Sequence, residues 1–423
     1  MQTASEIQVN ESVGHLFRHH TGQMVAVLSR IFGFDRIDMI EDAVQDALVA
    51  ALKTWPFAGT PENPTAWLTQ VAKNRMLDRI WRDGRSDQAD DEFDIVADTV
   101  GGEEIFFASE IHEDELRMMF ACCHPSIAPD SQVAVTLKII GGFSVSEIAR
   151  SYLSNDDAIA KMLTRAKKKL RFSGVTLDIP PPSELASRLN SVLKVLYLMF
   201  NEGYAASGGD ELVRKDLCFE AIRLGQILAA HPLTTAPRVH ALLALFHFQA
   251  ARLSARSGHR GELLIIADQD RSLWDRNMLA SGLEYFRLSA GGNELSDFHL
   301  EAEIAATHAL APTYEATDWH RILELYEKLQ SRHFSVVAEL NKIIVLERLH
   351  GPERALAALK QFESEQELSN FNLFHITKAH FLSQTGHIEA AIRSYERALE
   401  LTANNSVRRF LVARVETLSS QKD

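Results

Sequence analysis

Between Ala158 and Arg171 the chain carries six cations, Lys161, Arg165, Lys167, Lys168, Lys169 and Arg171, and no acid. Ile159, Leu163, Ala166 and Leu170 recur at helical spacing through the same stretch, so one face of a helix packs while Lys161, Arg165 and Lys168 share a narrow sector of another. Cations gathered on one face suit contact with nucleic-acid phosphates. Just upstream, residues 146–153 read as a short helix that Ser144 or Ser146 caps, and Ser154, Asn155 and Asp156 supply a turn and a second cap. A helix-turn-helix lays the first half of its second helix along base edges. That makes Ala158, Lys161, Met162 and Arg165 the candidate readers and leaves Lys167, Lys168, Lys169 and Arg171 to grip the backbone. The alternative is an ordinary solvated basic face.

Three other groups of residues bear chemistry. Arg75, Arg79 and Arg82 share a helical face with Asn74 and Asp78 beside them, and Asn and Arg are the side chains best suited to bidentate base contacts. Cys122, Cys123 and His124 are adjacent, but neighbouring cysteines lack the gap that lets two thiolates reach one zinc, so buried small side chains are expected and no metal. Asp268, Asp270, Arg271 and Asp275 cluster around Trp274; a buried salt-bridge network explains such a cluster at least as well as catalysis does. No nucleophile-base pair, phosphate loop or metal spacing appears, so neither a catalytic residue nor a cofactor is expected and the chain reads as a non-enzyme.

The elements that must position these groups are helical. Residues 41–55 (EDAVQDALVAALKTW) place Val44, Leu48, Ala51 and Trp55 on one side and Asp42, Gln45, Asp46 and Val49 on the other, a polar stripe that is ordinarily just solvated. A loop from Pro56 to Asn63 follows, and Pro64 opens the next helix. Residues 86–115 hold twelve acids and no Lys or Arg; without them the net charge of −13 falls to −1, so the acidity belongs to a tether and does not argue against nucleic acid. Pro180, Pro181 and Pro182 mark a break, after which Leu185, Leu189, Val192 and Leu196 begin a helical stretch that runs to the end, with LLIIA at 263–267 the one run that resembles a strand. Gly351 and Gly386 each open an Ala-rich helix, and TDWHRILELYEKLQ begins about one period earlier. That period, with Ala391, Tyr395, Ala398 and Leu399 where paired helices touch, is a tetratricopeptide-like pattern.

With 423 residues, 46% of them hydrophobic, the chain is globular and long enough for several domains. No apolar run reaches membrane-spanning length, the first residues lack the features of a signal peptide, and three cysteines are too few for a disulfide framework. A cytoplasmic protein without membrane contact is expected.

IEDAVQDALVAALKTW, NPTAWLTQVAKNRMLDRIWR and GGFSVSEIARSYLSNDDAIAKMLTRAKKKLR resemble regions 2.2, 2.3 to 2.4 and 4.2 of bacterial sigma factors of the extracytoplasmic-function type. LYLMFNEGYAASGGDELVRKDLCFEAIRLGQIL, ADQDRSLWDR and the last repeat are similar to a subgroup with a long helical extension. The resemblance implies an all-α fold: region 2 over 1–85, an acidic linker over 86–111, region 4 over 112–175, a helical extension over 184–310 and tetratricopeptide-like repeats over 316–418. It implies core RNA polymerase, through its β′ clamp helices and β subunit, and promoter DNA as partners. Asp42, Gln45, Asp46 and Val49 would meet polymerase. Asn74, Arg75, Asp78, Arg79 and Arg82 would meet the minus-ten element, whose flipped base the loop from Pro56 to Asn63 would hold. Ala158, Lys161, Met162, Arg165 and Lys168 would meet the minus-thirty-five element. The repeats would make a protein or intramolecular contact. Met162 and the acids Asp156 and Asp157 depart from the family pattern. A stand-alone helix-turn-helix regulator with a protein-interaction or ligand-sensing extension is the alternative.

Overall fold

The computed structural model describes residues 20–84, 108–152, 154–206, 208–209, 212–258, 262–361 and 370–420. These residues are almost wholly helical, as the all-α expectation required. The chain divides into two compact units, the first comprising residues 1–149 and 154–195, the second residues 150–153 and 196–423.

In unit 1, α1 (20–32), α2 (Ile37–Ala58) and α3 (Pro64–Gly84) form one group of helices. Val44, Leu48, Ala51 and Trp55 of α2 are buried, the stripe that their spacing dictates. Helix α2 runs further than the sequence suggests: Pro56 lies inside it, and it stops where Gly59, at φ +82°, returns its N–H to the Trp55 carbonyl at 3.0 Å. A proline in the last turn removes one amide bond, and here Gly59 rather than Pro56 ends the helix. The loop between α2 and α3 therefore begins at Gly59 instead of Pro56.

The second group of unit 1 is α4 (Ala108–Cys122), α5 (Pro129–Ile139), α6 (Val145–Ser151, of which 145–149 belong to this unit) and α7 (Asp156–Phe172). The proposed tether falls outside the described residues as far as 107, and α4 starts within its expected range. Cys122 and Cys123 are fully buried, and burial pushes the Cys123 thiol up to about 12, so both are packing residues. Helix α1 packs closely on this group, since a Cβ on Gly22 would lie 2.0 Å from the carbonyl oxygen of Ile140. Arg30 of α1 pairs with the buried Asp114 of α4 at 2.9 Å.

Helix α8 (Pro182–Tyr204) passes from unit 1 into unit 2. Unit 2 continues with α9 (Lys215–Ala230), α10 (Pro237–Ala250), α11 (Arg276–Ser289) and α12 (Asp297–Leu310). Three helix pairs end it: α13 (Trp319–Arg332) with α14 (Val336–His350), α15 (Pro352–Lys360) with α16 (Asn372–Gln384), and α17 (Ile388–Glu400) with α18 (Asn405–Ser419). Gly351 and Gly386 turn the chain before α15 and α17 at φ +87° and +77°, a conformation open to glycine. Ala391, Tyr395 and Ala398 are buried where these helices meet. The run at 263–267 forms no strand, only a single bridge between Ser257 and Leu263. The strands that do occur are two residues long: Gly208–Gly209 pairs in parallel with Ala403–Asn404, and the Asn404 amide donates to the Ala206 carbonyl at 3.0 Å. No helix among the described residues is long and apolar enough to cross a membrane.

Candidate nucleic-acid interface

Helix α7 owes its position to two caps. Ser144 and Glu147 bond reciprocally at the start of α6, the Ser144 N–H donating to Glu147 Oε2 at 2.8 Å and the Glu147 N–H donating to Ser144 Oγ at 3.2 Å. Asn155 accepts from the Ala158 N–H at 2.8 Å and fixes the start of α7. The Ser146 hydroxyl donates to Asp156, which joins the two helices. Asp156 and Asp157 sit in the first turn of α7, where carboxylates favour the positive end of the helix dipole. This gives the two acids a structural role in a helix that otherwise presents cations.

Ile159, Leu163, Ala166 and Leu170 are buried, and Ala158, Lys161, Arg165 and Lys168 stand exposed on the other side with Met162 half-buried. Lys168 lies 5.7 Å over the Phe172 ring. Two of the cations assigned to the DNA backbone are differently engaged. Lys167 pairs with Asp38 at 3.0 Å and with Glu41, and Arg171 pairs with Asp38 at 3.0 Å. Burial alone would depress the Lys167 ammonium, but Glu41 and Asp38 hold it above its ordinary value. Lys167 and Arg171 thus join α7 to α2 and do not face outward with the readers.

On α2, Asp42, Gln45, Asp46 and Val49 are exposed together. Arg79 of α3 reaches across to them, bonding Asp46 at 2.8 Å, Asp42 at 3.4 Å and the Met39 carbonyl at 3.4 Å. A residue expected on the minus-ten element and two expected on polymerase are therefore one ion-pair group. Asp38, Met39, Asp42, Arg79 and Arg82 line a cleft there. Asn74 and Arg75 are exposed, with the Gln70 amide donating to Asn74 at 3.0 Å, and Arg82 donates to the Asp78 carbonyl at 3.1 Å. Phe57 and Trp81, 92% and 58% exposed, were not singled out from the sequence; exposed aromatic faces suit base stacking. Asp38 and Glu41 were missed as well, because only the fold shows that a cation stands opposite them.

In unit 2 the charged groups around Trp274 form no ion pair with one another among the described residues. Asp270 caps the Ser272 N–H at 2.8 Å, and Asp275 caps Asn277 and Met278 at 2.8 and 3.1 Å. Asp268 is exposed. Arg271 turns from all three to donate to the carbonyls of His308 and Ala311. The acids begin helical turns because short carboxylates accept backbone amides there.

A family model described as sigma-70 region 2 matches residues 16–86, and one described as a family of unknown function, DUF6596, matches residues 188–290. The chain is 33% identical over 397 residues to a protein of Rhizobium meliloti (strain 1021) named "Uncharacterized protein R00370", with 92% of each chain covered. No solved structure matches. The first match falls on α1 to α3, the group that presents the Asp42 and Arg79 side chains, and the second on the stretch from α8 to α11 that includes Trp274.

Proposed function

Because the chain belongs to one family with the Rhizobium meliloti protein R00370 and carries a sigma-70 region 2, we propose that it is a sigma factor of the extracytoplasmic-function type whose helical extension regulates it. A region 2 gives it a role in transcription initiation with RNA polymerase and promoter DNA as partners. The observation that carries the finer reading is the exposed row of Lys161, Arg165 and Lys168 on a helix that Asn155 caps, in the same compact unit as region 2. In this reading α6 and α7 are the helix-turn-helix of region 4, α7 enters the major groove at the minus-thirty-five element, and α3 with the Gly59–Asn63 loop binds the minus-ten element.

No covalent chemistry is required of the chain. It lends polymerase base contacts from α7 and a stacking and cationic surface for melted DNA from α3, and extruding a base costs a few kcal/mol that such stacking returns. Docking on polymerase exchanges the Arg79 pairs with Asp42 and Asp46 for contacts to the clamp. The α13 to α18 pairs are tetratricopeptide-like repeats, whose inner surface ordinarily receives protein. Run-off transcription with core polymerase tests the proposal: full-length protein should start transcripts on a cognate promoter, and removal of residues 184–423 should change their yield. A stand-alone regulator is favoured by one observation, that Lys161 and Arg165 are already exposed without polymerase. Tight duplex binding by the free protein in a mobility-shift assay would support it.

A further inference from the structure

Unit 2 contains a set of guanidinium groups that have no carboxylate bonded to them among the described residues. Arg256 is only 8% exposed; its guanidinium lies 3.6 Å from the centroid of the Tyr204 ring, and that of Arg252 lies 5.5 Å from the same ring. Arg271 lies 4.5 Å over Trp274, itself buried. Two backbone bonds bring these groups together, from the Leu264 N–H to the Arg256 carbonyl at 2.8 Å and from the Asp275 N–H to the Ala251 carbonyl at 2.7 Å. One nitrogen of Arg271 is accounted for by the carbonyls at the end of α12, His308 at 3.0 Å and Ala311 at 2.7 Å.

The remaining donors are not. Arg256 Nε, Arg271 Nη2, Trp274 Nε1 and the Tyr204 hydroxyl are shielded from solvent without a hydrogen-bond partner, and so is His308 Nδ1. A buried guanidinium without a counter-charge is strongly unfavourable, and a cation–π contact offsets only part of that cost. Orphaned donors add to it. The carboxylate whose field reaches Arg271 is that of Glu315, an exposed residue outside hydrogen-bond contact. What the site lacks is an acceptor with several oxygens and more than one negative charge.

We propose that unit 2 binds a small phosphate-bearing anion between the ends of α10 and α12 and the 264–275 segment, held by Arg252, Arg256 and Arg271 with Trp274 and Tyr204 as neutral donors. Phosphate fits better than carboxylate because three arginines match a dianion rather than a single charge. Nucleic-acid phosphate does not fit, because the orphaned donors lie beneath the surface. Burial, with Arg252 and Arg271 nearby, pushes His308 down to about 3, so its ring is a neutral lining group that senses the charge on both arginines. The site would give the extension a small-molecule input, and it holds whether or not the chain is a sigma factor.

The experiment is calorimetric titration of the full chain with inorganic phosphate and with glycerol phosphate at fixed ionic strength, with acetate and chloride as controls. One saturable phosphate site per chain is expected, weakened at least about tenfold in Arg252→Gln and Arg271→Gln and kept in Arg165→Gln, which removes a cation from the DNA face. Circular dichroism of each variant separates lost binding from lost folding. In the wild-type chain, phosphate should also move the His308 ring resonances and raise its pKa, a readout that needs no variant. Tighter binding of the ester identifies a phosphorylated metabolite as the source, and equal binding identifies phosphate itself. Absence of saturation in the wild type, equal binding of acetate, or undiminished affinity in a folded Arg252→Gln would each overturn the proposal.

Discussion

Lys167 and Asp38 are 129 residues apart in the chain and 3.0 Å apart in unit 1, and Glu41 closes on the same ammonium. The Lys167 and Glu41 side chains are 11% and 15% exposed, so this pair is partly desolvated, whereas Asp38 is 53% exposed. Breaking a shielded pair from one side costs more than losing a surface pair, because the surviving charge keeps its desolvation. Lys167→Met should lower the stability of unit 1 by about 1–3 kcal/mol, and Arg171→Ala by less than about 1 kcal/mol. Urea denaturation of the full chain compares them. The Lys167 pKa is raised in the fold, so its contribution is complete below the ordinary lysine value of 10.5 and is lost as pH rises through the higher one. The difference between wild type and Lys167→Met should therefore persist unchanged from neutral pH to about pH 9.

Gly22 is the backbone counterpart of that ion pair. An added methyl would meet the Ile140 carbonyl oxygen at 2.0 Å, and neither backbone can yield without separating α1 from the end of α5. Gly22→Ala should destabilise unit 1 by about 2 kcal/mol or more. Thermal unfolding measures the loss, and a variant as stable as wild type would mean that the two helices do not approach so closely in solution.

On the face of α7 proposed to meet DNA, Arg165 and Lys168 are both exposed, but they stand at different turns of the helix. Arg165→Ala should weaken discrimination at the minus-thirty-five element by about 1–3 kcal/mol, while Lys168→Ala should weaken all sequences alike and reduce the salt slope by about 1. Promoter binding at several salt concentrations distinguishes a reader from a backbone contact, and identical behaviour of the two variants would count against the groove assignment.

Unit 2 carries a pH dependence of its own. Burial pushes Glu301 up to about 7, against the hydrogen bond that the Tyr197 hydroxyl donates to it at 2.9 Å and with the help of Asp297. The folded state then holds a proton that the unfolded chain releases near 4.5, so stability falls as pH rises from there to about 7 and is level above. Glu301→Gln keeps an acceptor for Tyr197 and has no charge to bury. Its melting temperature should exceed that of wild type at pH 8 by more than it does at pH 5, and equal increments at both would remove Glu301 as the cause.

Local structure was legible where local rules govern it. The buried stripes of α2 and α7, the caps at Ser144 and Asn155, and the glycine turns before α15 and α17 follow from spacing and from side chains that bond nearby amides. Tertiary pairing was not legible. Nothing in the spacing of Lys167 distinguishes it from Lys168, yet one faces Glu41 and the other faces solvent, and the difference is made by helices more than a hundred residues earlier. Likewise Arg79 has the type and register of a DNA contact, and its partners are carboxylates on the preceding helix. Around Trp274 a cluster of opposite charges suggested ion pairs, but capping of adjacent turns took the acids and helix-end carbonyls took Arg271.

Association with purified core RNA polymerase tests the central claim most directly, because Gln45 and Val49 present the α2 face without bonds to Arg79. In fluorescence anisotropy with labelled full-length chain, a saturable one-to-one complex is expected, and Val49→Arg should weaken it at least about tenfold while leaving the fold intact. A wild-type chain that remains free at micromolar polymerase would contradict the sigma-factor reading.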